Sequence, residues 1–339
     1  MNAILSGIDA LRDQFEPKRF GIGEGASCVI LTPRFRTSRH IVGLLIPSGK
    51  VEPALVVKMP RLHGDAEGIE REAAVLNALR AACPEAREAV PCVVALATGD
   101  HPLLVETALA GPLVTRAMLR ANPSRWVDAV VSWLITLSPT RENADEAAYE
   151  RLLEEPLALL AASFPPGTPE EELVARTLEL VEPLRGAHVP HVFEHGDFSH
   201  PNLIRLGSDR VGVVDWELAE EQGLPLHDLA FFLTYATFAL RRPRTADEHV
   251  AAFHDSFFSA AGWAMARMTA YARKLELDPH ALTPLFAACW ARYTARLVVR
   301  IAGARPGQLS EEGTAWVRQN RYYALWRHTI AHVDDLAWR

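Results

Sequence analysis

The chain has 339 residues, of which 49% are hydrophobic, and it carries a net charge of −7 at pH 7. A chain of this length and composition buries sizeable cores and exceeds one typical domain, which excludes a disordered protein and favours two lobes. The acidic balance argues against nucleic acid as a partner, because phosphates would be repelled. Apolar stretches such as Trp126 to Leu137, interrupted by Asp128, are too short to span a membrane.

Two features of the sequence bear on location. The first residues, Met1 to Asp13, carry no basic start and include two aspartates, which argues against a signal peptide. The four cysteines form no C-x-x-C pair. We therefore predict a reducing, cytoplasmic location, and nothing in the pattern indicates an oligomeric state.

A glycine-rich segment, Gly21 to Ser27, lies near the start between two apolar runs. Small residues allow backbone N–H groups to approach phosphates, so Gly23, Gly25 and Ser27 are candidate phosphate-binding residues. The alternative is an ordinary turn, which glycine clusters form more often.

An apolar strand, Ala54 to Pro60, carries Lys58 near its end. The helix predicted next, from Glu67 to Leu79, has one apolar arc at 100° per residue, formed by Ile69, Ala73, Leu76 and Leu79. Glu72 falls inside this arc, and a buried carboxylate needs a partner, for which Lys58 is the natural candidate. The alternatives are a solvent-exposed lysine and a glutamate that reaches solvent from the helix edge.

Two further segments follow before the polar motifs. Leu103 to Gly111 reads as an apolar strand that ends in a polar, small-residue connection. The helical segment from Arg141 to Ala187 holds eleven acidic residues and four arginines, which account for the whole net charge. Such charge runs usually cover a solvated helix surface.

The candidate catalytic and metal-binding residues lie in two blocks, His195-Gly196-Asp197-Phe198-Ser199-His200-Pro201-Asn202 and Asp215-Trp216-Glu217. Between these two blocks, Leu203–Leu206 and Val211–Val214 flank a cluster of turn residues and predict a β-hairpin. If Leu206 pairs with Val211, Asn202 lies opposite Asp215, with Cβ atoms about 4.5–5.5 Å apart. An amide oxygen and a carboxylate suit Mg²⁺, with substrate phosphates completing its shell.

Two helices after the hairpin carry charged residues, of which we interpret Asp228 as structural. Asp228 lies in the first turn of an apolar helix, where a carboxylate is favoured by the free N–H groups. Arg292, Arg296 and Arg300 follow at intervals of four on a helix from Leu285 to Ile301. We expect them to form a solvent-facing stripe, with the reception of an anionic acceptor as the alternative.

The spacing H-G-D-x-x-x-x-N, then thirteen residues to D-W-E, resembles the aminoglycoside phosphotransferase and choline kinase-like family, relatives of the protein kinases. The resemblance implies an α+β, two-lobed protein kinase-like fold. Its small β-rich N-lobe would span residues 1–106 and bind the nucleotide, and its larger helical C-lobe would span residues 107–339. Gly196 stands where the protein kinases have an arginine, which makes regulation through a phosphorylated activation loop doubtful.

The resemblance also assigns roles. Asp197 would be the catalytic base, Asn202 and Asp215 would hold Mg²⁺ on the phosphates of ATP, and His195 would brace the loop. Lys58, paired with Glu72, would contact the same phosphates. Backbone groups of Glu106, Thr107 and Ala108 would bind the adenine edge, and the acidic segment of residues 141–187 would line a pocket for cationic acceptors.

We thus predict an ATP-dependent phosphotransferase that moves the γ-phosphate to a hydroxyl of a small molecule, such as an aminoglycoside-, choline- or sugar-like acceptor. One alternative is a metal-dependent hydrolase, with a His/Asp cluster formed by His195, Asp197, His200, His227 and Asp228. The other is a nucleotide-binding protein without turnover. The hydrolase interpretation leaves Lys58 and Glu72 unused.

Overall fold

The structure is a computed structural model that describes residues 11, 14–31, 40–61, 66–99, 101–138, 144–302 and 307–338. Apart from residue 11, the segment Met1 to Asp13 lies outside the described residues, as do residues 141–143 of the acidic segment. By their internal contacts, residues 1–114, 195–197 and 201–221 form one compact unit (unit 1), and residues 115–194, 198–200 and 222–339 form another (unit 2).

The described strands are β1 (Ser27–Leu31), β2 (His40–Ile46), β3 (Leu55–Pro60), β4 (Val93–Ala97), β5 (Leu103–Thr107), β6 (Val192–Glu194), β7 (Leu203–Leu206), β8 (Arg210–Val213) and β9 (Glu220–Gly223). The described α-helices are α1 (Glu67–Ala82), α2 (Arg116–Ala121), α3 (Pro123–Ile135), α4 (Glu146–Tyr149), α5 (Glu155–Ser163), α6 (Pro169–Val181), α7 (His227–Arg241), α8 (Ala246–Phe257), α9 (Trp263–Lys274), α10 (Pro279–Ala302), α11 (Glu311–Gln319) and α12 (Arg321–Ala331). A π-helical turn, Glu150–Glu154, joins α4 to α5.

Unit 1 is built on a five-stranded antiparallel sheet in the order β1-β2-β3-β5-β4. Side chains alternate along β3, so Leu55 and Val57 enter one core of the sheet while Lys58 faces the opposite side. On that opposite side, Ile69 and Ala73 of α1 pack on Leu104. The pattern therefore brings Lys58 and the buried arc of α1 to the same face of the sheet.

The predicted hairpin is present in unit 1, but its predicted register is wrong by one residue. Leu206 pairs with Arg210 and Leu203 with Val213, and the Val214 N–H donates to the Asn202 carbonyl at 3.0 Å. The reason is a three-residue loop that begins at Gly207, whose φ of 72° lets the chain reverse one residue earlier than expected. Asn202 therefore lies opposite Val214, and Asp215 lies one residue beyond that pair.

Backbone hydrogen bonds attach the hairpin to the rest of unit 1. Val114 donates to Leu203, Arg205 donates to Pro112, and Val213 donates to Ala89. These contacts explain why residues 201–221 group with the sheet rather than with the helices. The predicted lobe boundary at residue 106 stays a prediction.

Unit 2 is helical, with α10 packed against α5, α6 and α12. Its core is rich in fully buried aromatic side chains, among them Phe231, Phe253, Phe286, Trp290 and Trp326. Because α10 is enclosed by other helices, the predicted solvent-facing stripe is wrong for Arg292, which is buried and bonded to Glu194. Arg296 also reaches Glu194 and keeps 22% of its side chain exposed.

A sheet in one unit and helices in the other confirm the α+β class. In the described part of the chain, no helix combines the length and apolar character that crossing a bilayer requires.

Candidate active site

Lys58 is the centre of a buried charged cluster in unit 1. Its Nζ donates to Glu72 Oε1 at 2.6 Å and to Asp215 Oδ1 at 3.2 Å, and it lies 3.6 Å from Glu106 Oε1. Glu72 and Glu106 are almost fully buried, whereas 43% of the Asp215 side chain is exposed. The predicted contact between Lys58 and Glu72 is therefore present, and two further carboxylates join it.

The electrostatics of this cluster follow from three carboxylates around one ammonium group. Burial alone would lower the pKa of Lys58, but Glu106, Glu72 and Asp215 outweigh it and raise this pKa well above its ordinary value. For Glu106, burial dominates, and with the charges of Glu72 and Asp215 it raises the pKa to about 8. Burial opposes ionisation of Asp215 too, but Lys58 outweighs it and lowers that pKa. The cluster therefore has an excess of acidic groups over cations.

The segment after β8 is tied directly to α1. The Trp216 N–H donates to Glu72 Oε1 at 2.8 Å, so one carboxylate oxygen holds both Lys58 and the backbone next to Asp215. Asp215 itself has a φ of 72°, a conformation that costs a residue with a side chain about 1–3 kcal/mol. Such strain is typical of functional positions, and here the bond to Glu72 fixes it.

The segment that carries Asp197 is braced by His195. His195 Nε2 lies 3.0 Å from the Val214 carbonyl, and its Nδ1 accepts the Asp197 N–H at 3.2 Å, which together fix the tautomer. Asn202 Nδ2 donates to the carbonyl of Asp197 at 2.9 Å and to Asp197 Oδ2 at 3.3 Å. The amide nitrogen of Asn202 is thus occupied, which directs its oxygen away from Asp197.

Gly23, Gly25 and Ser27 are not brought to this cluster. Ser27 pairs with Ile46 on β2, whereas Lys58 pairs with Val42 of the same strand. Four residues of β2 separate the two positions, or about 13 Å at the usual rise of a strand. A Cβ on Gly25 would meet Ser48 at 3.1 Å, in the turn between β2 and β3. The ordinary-turn alternative fits this segment better.

The end of β5 differs from the expectation in part. The Thr107 N–H donates to Cys92 and the Ala108 N–H donates to Ala54, so neither amide is available to an adenine edge. Glu106 contributes its side chain to the Lys58 cluster, a role that the sequence pattern did not suggest. Among the described residues, the Leu109 N–H is the first amide after β5 without a backbone partner.

Two residues of the site were missed. His40 Nδ1 lies 2.7 Å from Glu217 Oε2, and Nε2 of the same ring is buried without a partner among the described residues. A Cβ on Gly68 at the start of α1 would lie 3.0 Å from this ring. Glu217 stands in the D-W-E motif, and its place beside Asp215 was the signal that could have drawn attention to it.

The alternative His/Asp metal cluster does not form. His195 is occupied by Val214 and Asp197, while His227 contacts the Leu285 carbonyl and Arg292 within unit 2. Among the described residues, the only group of histidine, cysteine or acidic side chains with metal-ligand spacing lies elsewhere, at His254, His328 and His332. The structure thus gives no support to the predicted hydrolase centre.

The donor set of unit 1 fits a hard divalent cation. Asp215 offers a half-exposed carboxylate and Asn202 an amide oxygen, which are ligands of the kind that Mg²⁺ accepts. The excess of acidic groups around Lys58 would be compensated by a cation. A strand lysine paired with a helix glutamate, together with the hydrogen-bonded Asp197–Asn202 pair and the half-exposed Asp215, is the arrangement of enzymes that transfer phosphoryl groups. Fold and site thus define a phosphotransferase of the kinase type.

The family model described as "Phosphotransferase enzyme family" matches residues 48–271, and the chain belongs to that family. It is a small-molecule kinase. No curated protein sequence matches the chain.

Solved structures share its fold at low sequence identity. A choline/ethanolamine kinase family protein from Mesorhizobium loti is 15% identical, with a TM-score of 0.55 over 97% of this chain and 99% of that one. Choline kinase LicA from Streptococcus pneumoniae is 14% identical, with a TM-score of 0.55 over 96% and 99%. Aminoglycoside phosphotransferase APH(4)-Ia, in a ternary complex with ADP and hygromycin B, is 12% identical, with a TM-score of 0.52 over 92% and 96%. These likenesses show the kinase-like fold that the sequence predicted.

Proposed function

We propose that the chain transfers the γ-phosphate of ATP to a hydroxyl group of a small molecule. The observation that carries this proposal is the Glu72 carboxylate, which holds both Lys58 and the backbone beside Asp215. Burying a lysine among carboxylates and holding Asp215 at a positive φ both cost free energy, and packing alone requires neither. A site that binds phosphate beside a metal ion would require both.

In the proposed reaction, Asp197 accepts the proton of the acceptor hydroxyl as that oxygen attacks the γ-phosphorus, and the bond from this phosphorus to the β,γ-bridging oxygen breaks to release ADP. Asn202 keeps the Asp197 carboxylate in one orientation through the bond to Oδ2, and His195 fixes the backbone of the same segment. Lys58 pairs with phosphate oxygens, and Glu72 prevents the ammonium group from swinging away. Mg²⁺, held by Asn202 and Asp215, would neutralise charge on the nucleotide phosphates when bound.

The adenine edge is assigned to the connection after β5. Because the Thr107 and Ala108 amides are used within the sheet, we assign the donating role to Leu109. The ADP complex of APH(4)-Ia supports a nucleotide in a fold of this type.

The acceptor is assigned only by class, as a small molecule with a hydroxyl group. The structural relatives act on or bind choline, ethanolamine and hygromycin B, according to their names. Several acids of the 144–187 segment already have basic partners, since Glu146, Glu154 and Glu182 surround Arg185. This favours a solvated surface over a cationic acceptor pocket for that part of the segment.

The proposal is tested by ADP release with MgATP and a panel of amines, amino alcohols, sugars and aminoglycosides. At least one acceptor should raise ADP release above the rate without acceptor. Asp197→Asn should lower that turnover by about 10²–10⁴-fold, the usual contribution of a general base, while MgADP binding is retained. Asp209→Asn, on the exposed hairpin loop, is the matched control and should leave turnover unchanged. The proposal fails if no acceptor stimulates ADP release, or if Asp197→Asn turns over normally.

A further inference from the structure

A cavity of about 330 Å³ in unit 2 is lined by four arginines. Arg116 and Arg120 lie one turn apart on α2, Arg242 directly follows α7, and Arg321 begins α12. Three separate elements therefore direct guanidinium groups into one space. Such convergence differs from a basic stripe along a single helix, where spacing alone brings like charges together.

No acidic side chain among the described residues neutralises the four arginines. In the described part of the chain none of them forms an ion pair, whereas Arg292 and Arg318 of the same unit each bond a buried glutamate. Arg321 instead lies over the rings of Phe238, at 5.0 Å, and Tyr235, at 5.9 Å, which orients its planar group. Four positive charges around one cavity give it a positive local potential, although the chain as a whole has a net charge of −7.

We propose that this cavity binds a small oxyanion, a phosphate or a carboxylate group. Guanidinium groups bind both oxyanions through paired N–H donors. The volume of the cavity suits a small group of this kind.

The test uses inorganic phosphate and acetate as probes, titrated calorimetrically into the protein with saturating MgADP so that the nucleotide site is filled. Arg116→Gln and Arg321→Gln should each weaken phosphate binding by about 10- to 100-fold, as a lost charge-assisted hydrogen bond predicts. Arg321→Lys keeps the charge and should recover part of the loss. Arg244→Gln, an exposed neighbour outside the lining, is the matched control.

The proposal is overturned if phosphate does not bind, or if it binds equally well to the intact chain, to Arg116→Gln and to Arg321→Gln. The phosphotransferase proposal has its own test in ADP release, so the two proposals can fail independently.

A second and independent feature of unit 2 is a cluster of three histidines. His254 lies on α8, His328 on α12, and His332 directly after α12, with one ring nitrogen from each within 4.8 Å of the others. His254 Nδ1 is 3.1 Å from His328 Nε2. Two nitrogens bound to one tetrahedral zinc ion, at about 2.0–2.1 Å each, lie about 3.3 Å apart, so this separation suits a shared metal.

His332 is oriented as a metal ligand by an acidic neighbour. Its Nδ1 lies 3.0 Å from Asp335 Oδ2, which leaves Nε2 to bind a cation. A hydrogen bond between His254 and His328 would account for that pair alone. It would not account for a third histidine held by a carboxylate beside them.

We propose that His254, His328 and His332 bind a borderline divalent metal ion of the Zn²⁺ class, with water in the remaining position. Neutral imidazoles favour such ions over Mg²⁺. The ion would clamp α8 to the end of α12 and so stabilise unit 2.

Titration of the metal-free chain with Zn²⁺, and with Co²⁺ followed by visible absorption, tests this site directly. One equivalent should bind and raise the unfolding temperature, with Co²⁺ giving a tetrahedral spectrum. His328→Gln should abolish both effects, Asp335→Asn should weaken binding by about 10–100-fold, and His280→Gln, on the exposed start of α10, should change neither. The proposal is overturned if the intact chain binds no Zn²⁺ or Co²⁺, or if Asp335→Asn and His328→Gln bind as well as the intact chain does.

Discussion

Glu106 lies at the end of β5 with its carboxyl group buried beside Lys58, and one of its oxygens has no hydrogen-bond partner among the described residues. Lys58 is already held at shorter distances by Glu72 and Asp215. A third carboxylate adds repulsion from its neighbours to the cost of burial, and protonation relieves both. The charge of this residue therefore depends on pH in the neutral range.

We predict that Glu106→Gln removes a pH dependence of stability. The pKa of Glu106 is about 8 in the folded chain, against 4.5 when unfolded, so the folded chain keeps a proton that the unfolded chain has lost. The free energy of unfolding of the intact chain should therefore fall as the pH rises from about 4.5 to about 8, relative to the variant. Urea unfolding of both proteins at several pH values, without nucleotide or metal, measures the difference. A constant difference across this range would contradict the assignment.

For single residues, the sequence predicted those contacts that follow from which side chains are buried. Glu72 could be predicted because its place on the apolar arc of α1 demands a partner, and Lys58 was the nearest strand cation. Asp215 beside Lys58 could not be predicted, because its position depends on a φ of 72° and on the Trp216 amide. Neither the backbone conformation nor the amide hydrogen bond can be inferred from the spacing of residues in the sequence.

Among the elements, the hairpin shows how one loop residue changes a site. Four turn-forming residues suggested a four-residue loop, but Gly207 closes it in three and shifts each pair by one. The helix α10 shows that a long-range contact can overrule a local pattern. Arginines at intervals of four predicted a solvent-exposed face, yet Arg292 is buried and bonds Glu194. Glu194 lies almost a hundred residues away in the sequence. Local periodicity cannot report a contact of that kind.

Gly111 shows how the connection after β5 is held against β7. Its φ is 145°, and a Cβ at this position would collide with the Arg205 carbonyl and lie 3.1 Å from Ile204. We predict that Gly111→Ala lowers the free energy of unfolding by about 1–3 kcal/mol more than Gly99→Ala, because overpacking adds to the backbone strain. Gly99 has a φ of 99° with nothing within 4 Å, which makes it the matched control. Equal losses in chemical unfolding would show that the close approach to β7 is not formed.

Across the whole molecule, each compact unit buries its own ionic cluster, and the two differ in sign. In unit 1, three carboxylates surround Lys58. In unit 2, Glu194 is bonded by Arg292 and Arg296 and accepts the Leu224 N–H. The acidic excess of the first cluster suits a metal ion. The second cluster is internally satisfied, which favours a structural role.

We predict that Glu194→Gln destabilises the chain by about 3–5 kcal/mol, because it leaves the buried Arg292 without its carboxylate. Glu179→Gln breaks an ion pair between two exposed side chains, with Arg176, and should cost less than about 1 kcal/mol. Chemical unfolding of both variants at pH 7 measures the contrast, and equal losses would contradict the buried network.

The same carboxylate should govern the acid stability of the intact chain. Burial opposes its ionisation, but Arg292, Arg296 and His227 outweigh burial and lower the pKa of Glu194 to about 2, against 4.5 when unfolded. Its contribution is therefore complete above pH 4.5 and is lost as the pH falls towards 2. Over that interval the intact chain should lose stability faster than Glu194→Gln, so that the two unfolding free energies converge. If the difference between them stayed constant from pH 5 to pH 2.5, Glu194 would not be the ionised partner of Arg292.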